Sequence, residues 1–184
     1  ELDPIICYLE ESYRQDEGSS LAEILNAMRE NDVRRHHAEK LLDRVDVEIP
    51  AEEVENMTEL HTVNIDVDRI NEQRLAELGG DEIFYSQSTT GAKNYVENLQ
   101  RSALAPPILT LKKGALVMTV KNSQNRLYAN GSIGQIIDFE ATTEYPIVEF
   151  RSGKIVTITP ETWELRDGDK KRAGITQIPL RLAY

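Results

Sequence analysis

Residues 107–120 read PILTLKKGALVMTV, and the spacing of apolar residues changes within this stretch. On its N-terminal side, apolar residues recur three and four positions apart, which is typical of amphipathic helices. From Leu109 onward they alternate with polar residues or stand in short runs, which is typical of short β-strands. The sequence therefore predicts an α/β part over residues 1–108 followed by an all-β part.

The all-β part contains five short apolar or alternating runs, separated by turn-forming pairs such as Asn130-Gly131 and Ser152-Gly153. The runs cover residues 109–111, 115–120, 133–139, 147–150 and 155–158. Strands of this length and spacing predict a small β-barrel over residues 109–176. Trp163, the single tryptophan, is expected to complete the barrel core, with base stacking as the alternative. Residues 175–184 are expected to leave the barrel as an extended segment.

The α/β part is predicted from helical spacing in three places. One helix begins near Ser19, which is suited to cap it, and a second covers about residues 33–45. Residues 58–64 are predicted to form a short strand that ends in a polar turn, and the third helix, with Val67, Ile70 and Leu75, follows it. Residues 81–107 are weakly patterned and are expected to form a loop or lid.

The chain has 184 residues and a formal net charge of −11, but the charge is unevenly distributed. Residues 1–100 contain 9 Lys+Arg against 24 Asp+Glu, whereas residues 101–184 contain 12 against 8. Because phosphate-binding surfaces are basic, a nucleic-acid partner is expected on the second part, and the acidic residues of the first are expected to be mainly solvated. The sequence has no long apolar run and no basic-apolar leader, which favours a cytoplasmic protein without a membrane partner.

Cys7 and the pair His36-His37 are the residues that raise the question of a metal site. A single cysteine without a spaced histidine pair makes a poor zinc site, so Cys7 is expected to be buried as a small apolar residue. Adjacent residues on a helix point about 100° apart, and the sequence shows no third ligand nearby. His36 and His37 are therefore expected to face solvent, and no metal site is predicted.

Several segments, in order along the chain, resemble the RecD/PIF class of superfamily 1B DNA helicases. Residues 9–15, LEESYRQ, resemble helicase motif IV, and residues 25–29, LNAMR, resemble the stretch after it. Residues 60–64, LHTVN, with the positions that follow up to Asn71, are similar to the Thr-x-Asn segment of the class. Residues 111–118 and 127–134 resemble its inserted Src-homology-3-like barrel, and residues 177–184 resemble the approach to motif V.

The resemblance implies that the chain is a fragment of an ATP-dependent DNA helicase that moves in the 5′ to 3′ direction along single-stranded DNA. Residues 1–108, with 177–184, would form an incomplete RecA-like domain 2A, and residues 109–176 would form the inserted barrel, domain 2B. ATP and Mg²⁺ would bind between domain 2A and a preceding domain 1A. The sequence has no Gly-x-x-x-x-Gly-Lys-Ser/Thr phosphate loop, so the fragment alone is expected to bind neither and to be catalytically inactive. In a bacterium, the parent protein would be associated with the nucleoid.

Arg14 is the candidate catalytic residue under this resemblance, as an arginine finger that senses the γ-phosphate of ATP. A guanidinium stays charged and binds phosphate oxygens through two donors, which suits that role. The alternative is a surface arginine paired with Glu10, Glu11 or Asp16.

Contacts to single-stranded DNA are implied for the predicted strand-to-helix turn and for the barrel. The candidates are Thr62 and Asn64 on the turn and Lys112, Lys113, Asn122, Arg126 and Tyr128 on the barrel. Asn64 also suits the role of a helix cap, and each barrel lysine alone is better explained as ordinary surface. Without the resemblance, the chain is equally explained as a non-enzymatic nucleic-acid or protein-interaction module built on the barrel. A phosphate loop encoded upstream of Glu1 would distinguish the helicase.

Overall fold

The computed structural model of the protein describes residues 5–7, 18–50 and 57–184. The chain divides into two compact units, Glu1–Ala51 and Glu52–Tyr184. Both helices and strands are present, which confirms the predicted mixture of α and β structure. Cys7 is exposed, so the prediction that it is buried was wrong. Among the described residues, no helix is both long enough and apolar enough to cross a membrane.

Two helices, α1 (Ser20–Arg29) and α2 (Arg35–Leu42), lie in the part of the first unit that the structure describes. Ser19 caps α1 as predicted, because its Oγ accepts a hydrogen bond from the Ala22 N–H at 3.1 Å. The second helix is shorter than the predicted span of 33–45. Its start is fixed by a hydrogen bond from the Arg34 N–H to Nδ1 of His37, 3.1 Å long, which holds the residue before the helix in an extended conformation.

His36 and His37 both approach a carboxylate on α1. Nε2 of His36 and Nε2 of His37 lie 3.3 and 3.4 Å from Oε1 of Glu23, and Nζ of Lys40 lies 2.5 Å from Oε2 of the same residue. His37 is only 5% exposed. His36 is exposed as expected, but the expectation that His37 faces solvent, with no third ligand nearby, was wrong. Glu23 comes from a different helix, so helical spacing within α2 could not indicate it.

The hydrogen bonds of this cluster argue against a metal ion. Nδ1 of His37 accepts the Arg34 N–H, so the neutral ring carries its proton on Nε2 and donates it toward Glu23. A histidine that binds a metal through Nε2 instead carries its proton on Nδ1 and donates it to an acceptor. Together with the adjacent Lys40 ammonium, this leaves Glu23 as an ion-pairing residue between α1 and α2.

In its described residues, 57–184, the second unit has two helices, α3 (Asn64–Glu77) and α4 (Lys93–Ser102), among ten strands. The strands are β1 (Ile83–Ser86), β2 (Ser88–Gly91), β3 (Ile108–Leu111), β4 (Leu116–Thr119), β5 (Ile133–Phe139), β6 (Pro146–Phe150), β7 (Ile155–Thr157), β8 (Glu161–Asp167), β9 (Lys170–Gln177) and β10 (Leu180–Leu182). All five runs predicted from the alternating pattern form strands, β3 to β7.

The strands form three antiparallel sheets. The largest has the order β10-β4-β5-β6-β7, a second pairs β1 with β3, and a third has the order β2-β9-β8. The prediction that residues 175–184 leave the barrel was wrong, because β9 runs through Gln177 and β10 then pairs with β4, with Leu182 opposite Val117. Residues 180–182 thus share a sheet with strands of the predicted barrel.

Two apolar clusters hold this unit together. The larger lies under the five-stranded sheet and includes Val117, Ile136, Val148 and Leu180, each at most 1% exposed. The smaller joins Val96 and Leu99 of α4 to Ala173 and Ile175 of β9, with Trp163 partly buried against them. Trp163 therefore belongs to the cluster beneath α4. The prediction that it completes the main barrel core was wrong.

Two other expectations for the second unit were wrong. Residues 58–64 form no strand, and no strand among the described residues pairs with them. A β-strand needs a hydrogen-bonded partner strand, however favourable its local sequence pattern is. Residues 81–107 are not a loop or lid but contain β1, β2 and α4. The partners of these strands, β3 and β9, lie far along the chain, so local patterning does not reveal them.

Candidate nucleic-acid interface

The loop between β4 and β5, residues 120–132, brings together three of the predicted DNA contacts. It contains Asn122, Arg126 and Tyr128. Oδ1 of Asn122 accepts a hydrogen bond from the Asn130 N–H at 2.7 Å, and the Ser123 N–H donates to the Tyr128 carbonyl at 3.1 Å. Asn122 thus holds the loop in shape. This is a positioning role and differs from direct contact with a strand.

Buried Thr119 fixes the far side of the same loop. Its hydroxyl donates to the Ala129 carbonyl at 2.5 Å and accepts the Ser132 N–H at 3.0 Å. Thr119 is fully buried, so these hydrogen bonds do not compete with water. The loop therefore has a fixed conformation before any ligand arrives, which lowers the entropy that binding would cost.

Arg126 lies at the tip of this loop with φ at +54°, in the left-handed region. Its N–H donates to the Ser123 carbonyl at 3.1 Å, which holds the unusual backbone in place. The residue is exposed, and its guanidinium forms no hydrogen bond or ion pair with the described part of the chain. An exposed, unpaired guanidinium on an ordered loop is suited to bind a phosphate through two donors.

Tyr128 is half-buried behind Arg126. Its ring packs against Phe150, with the ring centroids 5.8 Å apart. Burial, with a smaller contribution from the Glu161 carboxylate, raises the pKa of Tyr128 to about 12, so the hydroxyl stays protonated. The side chain is a fixed apolar surface with one polar end, as single-strand binding requires.

Lys112 and Lys113 have different environments, although both were predicted to contact DNA. Lys112 is 7% exposed; its ammonium donates to the Leu78 carbonyl at 3.1 Å and lies 3.3 Å from Oε1 of Glu82. This burial contradicts the predicted surface contact. Lys113 is exposed and only loosely paired, with its Nζ 3.6 Å from Oδ2 of Asp138. Of the two lysines, Lys113 alone presents its charge to solvent.

Thr62 and Asn64 lie at the start of α3 and are both exposed. Val63 occupies the cap position, and no side chain there hydrogen-bonds to the helix, so the expectation that Asn64 caps it was wrong. An uncapped helix start leaves backbone N–H donors available to an anion. Thr62 and Asn64 share no recorded contact with the loop over residues 120–132. Arg14 lies outside the described residues.

Lys121, in the loop, and Glu161, on β8, form a pair that the sequence did not single out. Nζ of Lys121 lies 3.3 Å from Oε2 of Glu161, donates to the Thr162 carbonyl at 2.6 Å, and lies 5.1 Å from the ring centroid of Trp163. Glu161 and Thr162 also line a cavity beside Tyr128. The positive charge of Lys121 was visible in the sequence, but its pairing with Glu161, 40 positions later, had no local signal.

Comparisons with known proteins point to one family. No protein-family model matches the chain. The chain is 30% identical to the ATP-dependent DNA helicase Pif1 of Psychrobacter sp. over 97% of its length, which is 35% of that protein. It is 33% identical to the ATP-dependent DNA helicase PIF1 of Emericella nidulans over 64% of its length and 15% of that protein. The chain thus spans about a third or less of the length of these curated relatives.

The fold is similar to solved structures from the same family. The crystal structure of Pif1 helicase from Candida albicans aligns with a TM-score of 0.64 and 29% identity, over 94% of the chain and 44% of that structure. A Pif1 helicase from Bacteroides, crystallised with ADP-AlF3 and ssDNA, aligns over 95% of the chain and 40% of that structure, with a TM-score of 0.59. At 24% identity, this second likeness concerns the fold alone.

Proposed function

The chain belongs to the Pif1-type helicases by sequence and by fold, and from this premise we propose that it is the part of a DNA motor that holds the single strand. In this proposal residues 1–108 correspond to domain 2A and residues 109–176 to the inserted barrel 2B. Of residues 177–184, which the sequence assigned to domain 2A, residues 180–182 pair with β4 of the barrel. The parent protein would be an ATP-dependent 5′ to 3′ helicase that acts where the DNA is, in the cytoplasm or at a bacterial nucleoid.

The observation that carries the proposal is the ordered loop over residues 120–132. It presents an unpaired guanidinium at Arg126 and a fixed aromatic side chain at Tyr128, while Asn122 and Thr119 hold its backbone. Phosphate contacts of this kind hold a strand without reading its sequence. Lys113 adds a second exposed cation, and the N–H groups at the start of α3, near Thr62 and Asn64, offer a separate anion contact.

Nucleotide chemistry requires a partner domain in this proposal. The sequence contains no phosphate-binding loop, and the described residues form no nest of glycines that would replace it, so these residues do not fit ATP or Mg²⁺ on their own. Domain 1A of the parent protein would hold the nucleotide and the metal ion. The contribution of this chain would be Arg14, an arginine finger directed at the γ-phosphate.

Charge reversal on the barrel tests the proposed grip on the strand. We expect the 184-residue protein to bind oligo(dT) weakly, with an affinity that falls steeply as salt is raised, because few phosphates are neutralised. Lys113→Glu combined with Arg126→Glu should abolish this binding in a fluorescence-anisotropy titration. In the parent protein, the same pair should lower unwinding more than ATP hydrolysis, since strand contact is lost and nucleotide chemistry is not.

Lys93→Glu with Arg101→Glu is the matched control, because it makes the same change in net charge on exposed positions of α4. The control pair should retain most of the binding. If both pairs weaken binding equally, the effect is one of overall charge and the barrel loop is not the interface. Circular dichroism must show that both variants are folded.

A further inference from the structure

A polar cavity of about 350 Å³ opens beside Tyr128, between the loop over residues 120–132 and the connection from β7 to β8. Its lining includes Gln124, Tyr128, Thr157, Thr159 and Glu161. The volume lies within the range of about 300–1,000 Å³ that is typical of small-molecule sites. The cavity is thus large enough for one planar polar group.

The carboxylate in the cavity disfavours a phosphate. Glu161 contributes a carboxylate whose side chain is only 13% exposed, and an anion beside it would be repelled. The hydrogen bonds that Glu161 accepts from described residues, from Lys121 and Gln124, both go to Oε2, at 3.3 and 3.4 Å. Oε1 therefore remains to accept a hydrogen bond from a ligand. Hydroxyl groups of Thr157 and Thr159 add further acceptors.

The surroundings favour a nucleobase over other polar ligands. Asn125 and Leu127, the neighbours of Arg126 on both sides, line the cavity, so the exposed Arg126 adjoins it in the chain. The ring of Tyr128 forms part of the wall and is held by Phe150. The aromatic ring of Tyr128 could contact the face of one base, the Glu161 carboxylate could accept a hydrogen bond from its edge, and the neighbouring Arg126 could bind a phosphate of the same strand.

We propose that this cavity takes one base of the bound strand and prefers a base that carries an exocyclic amino group over thymine. A carboxylate accepts hydrogen bonds from an amino group, as acidic side chains do from cytosine. Thymine instead presents a single N–H between two carbonyl oxygens, and those oxygens would face Glu161. The inference rests on the proposed function, since it requires a bound single strand, but it adds a base preference that phosphate contacts alone do not give.

Homopolymer binding by the intact protein tests this preference. Oligo(dC) places a cytosine in the cavity in every register, so we expect it to bind about fivefold more tightly than oligo(dT) of the same length and at the same salt concentration. Glu161→Gln should remove the difference and leave oligo(dT) binding at least as strong. Lys121 keeps its hydrogen bond to the Thr162 carbonyl in this variant, so the fold should persist.

Two further variants make the result specific. Thr157→Phe, on the exposed face of the edge strand β7, should fill the cavity and also abolish the preference. Glu149→Gln, an exposed position of β6 outside the cavity lining, removes the same charge and should leave the preference intact. Equal binding of the two oligomers by the wild-type protein, or a preference that survives both Glu161→Gln and Thr157→Phe, would overturn the inference. Failure to bind either oligomer would instead overturn the proposed function on which it depends.

Discussion

The candidate DNA contacts differ in how well their chemistry predicted their place in the structure. Arg126 and Tyr128 were identified from their chemistry and do share one ordered loop. Lys112 has the same chemistry as Lys113, yet its ammonium is buried against the Leu78 carbonyl. The difference depends on where the end of α3 packs, and a side chain's own sequence neighbourhood does not contain that information.

Lys112→Met tests the structural role assigned to this lysine. The substitution keeps an apolar stem but leaves the Leu78 carbonyl and Glu82 without their donor, so we expect a loss of about 1–3 kcal/mol in the free energy of unfolding. Urea denaturation measures this loss. Lys113→Met, at the adjacent exposed position, should change it by no more than about 0.5 kcal/mol. Equal effects of the two substitutions would contradict the buried role.

Glu23 gives the first unit a predicted dependence on pH. The hydrogen bond from Lys40, followed by that from His36, holds the pKa of Glu23 below its ordinary value of 4.5. A carboxyl with a lowered pKa stabilises the fold above its unfolded-state pKa, and the stabilisation is lost as the pH falls through the folded-state pKa. The pairing between α1 and α2 should therefore weaken under acidic conditions.

Thermal unfolding followed by circular dichroism from pH 7 to pH 3 measures this effect. Wild-type protein should lose melting temperature below about pH 4.5, and Glu23→Gln should lose less over the same interval. Glu30→Gln, at the exposed C-terminal end of α1, is the control and should follow the wild-type curve. A Glu23→Gln curve parallel to the wild type would show that the ion pairs contribute nothing to stability.

Local sequence patterns predicted the helices and strands that depend on neighbouring residues. They missed the strands whose pairing partners are distant in the sequence. The capped start of α1, the helical spacing of α3 and the alternation of β3 to β7 all appear in the structure. The strands β1 and β2 were missed because their pairing partners, β3 and β9, are distant in the sequence. The reverse error occurred at residues 58–64, where a favourable pattern has no partner strand among the described residues.

Gly91 tests the pairing of β2 with β9. Its φ is +104°, and an added Cβ would lie 2.3 Å from the Arg172 carbonyl oxygen and 2.8 Å from the Ala173 Cα. Both are backbone atoms, so the strands must separate. Gly153→Ala is the matched control, since its φ is +78° with nothing near the added Cβ. We expect Gly91→Ala to cost about 1–3 kcal/mol more than the control in urea denaturation. Equal costs would mean that the strands are not in contact at Gly91.

In the whole molecule, strand contact and nucleotide chemistry are assigned to different parts of the parent protein. The described residues explain how a strand could be held, by the ordered loop, its cation and the cavity beside it. The sequence contains no Gly-x-x-x-x-Gly-Lys-Ser/Thr loop, and the family relationship is what connects strand contact to ATP. Arg14 is the residue that would couple strand contact by this chain to ATP hydrolysis in the parent protein.

The most direct test of this account is the DNA-stimulated rate of ATP hydrolysis by the parent protein carrying Arg14→Ala. Because an arginine finger acts on charge that develops at the γ-phosphate, we predict a fall of about 10³ or more in rate, with nucleotide binding largely retained. Arg101→Ala, at an exposed position of α4, should leave the rate near that of the wild type. A fall of less than about tenfold for Arg14→Ala would indicate an ordinary surface arginine and would contradict its proposed role at the γ-phosphate.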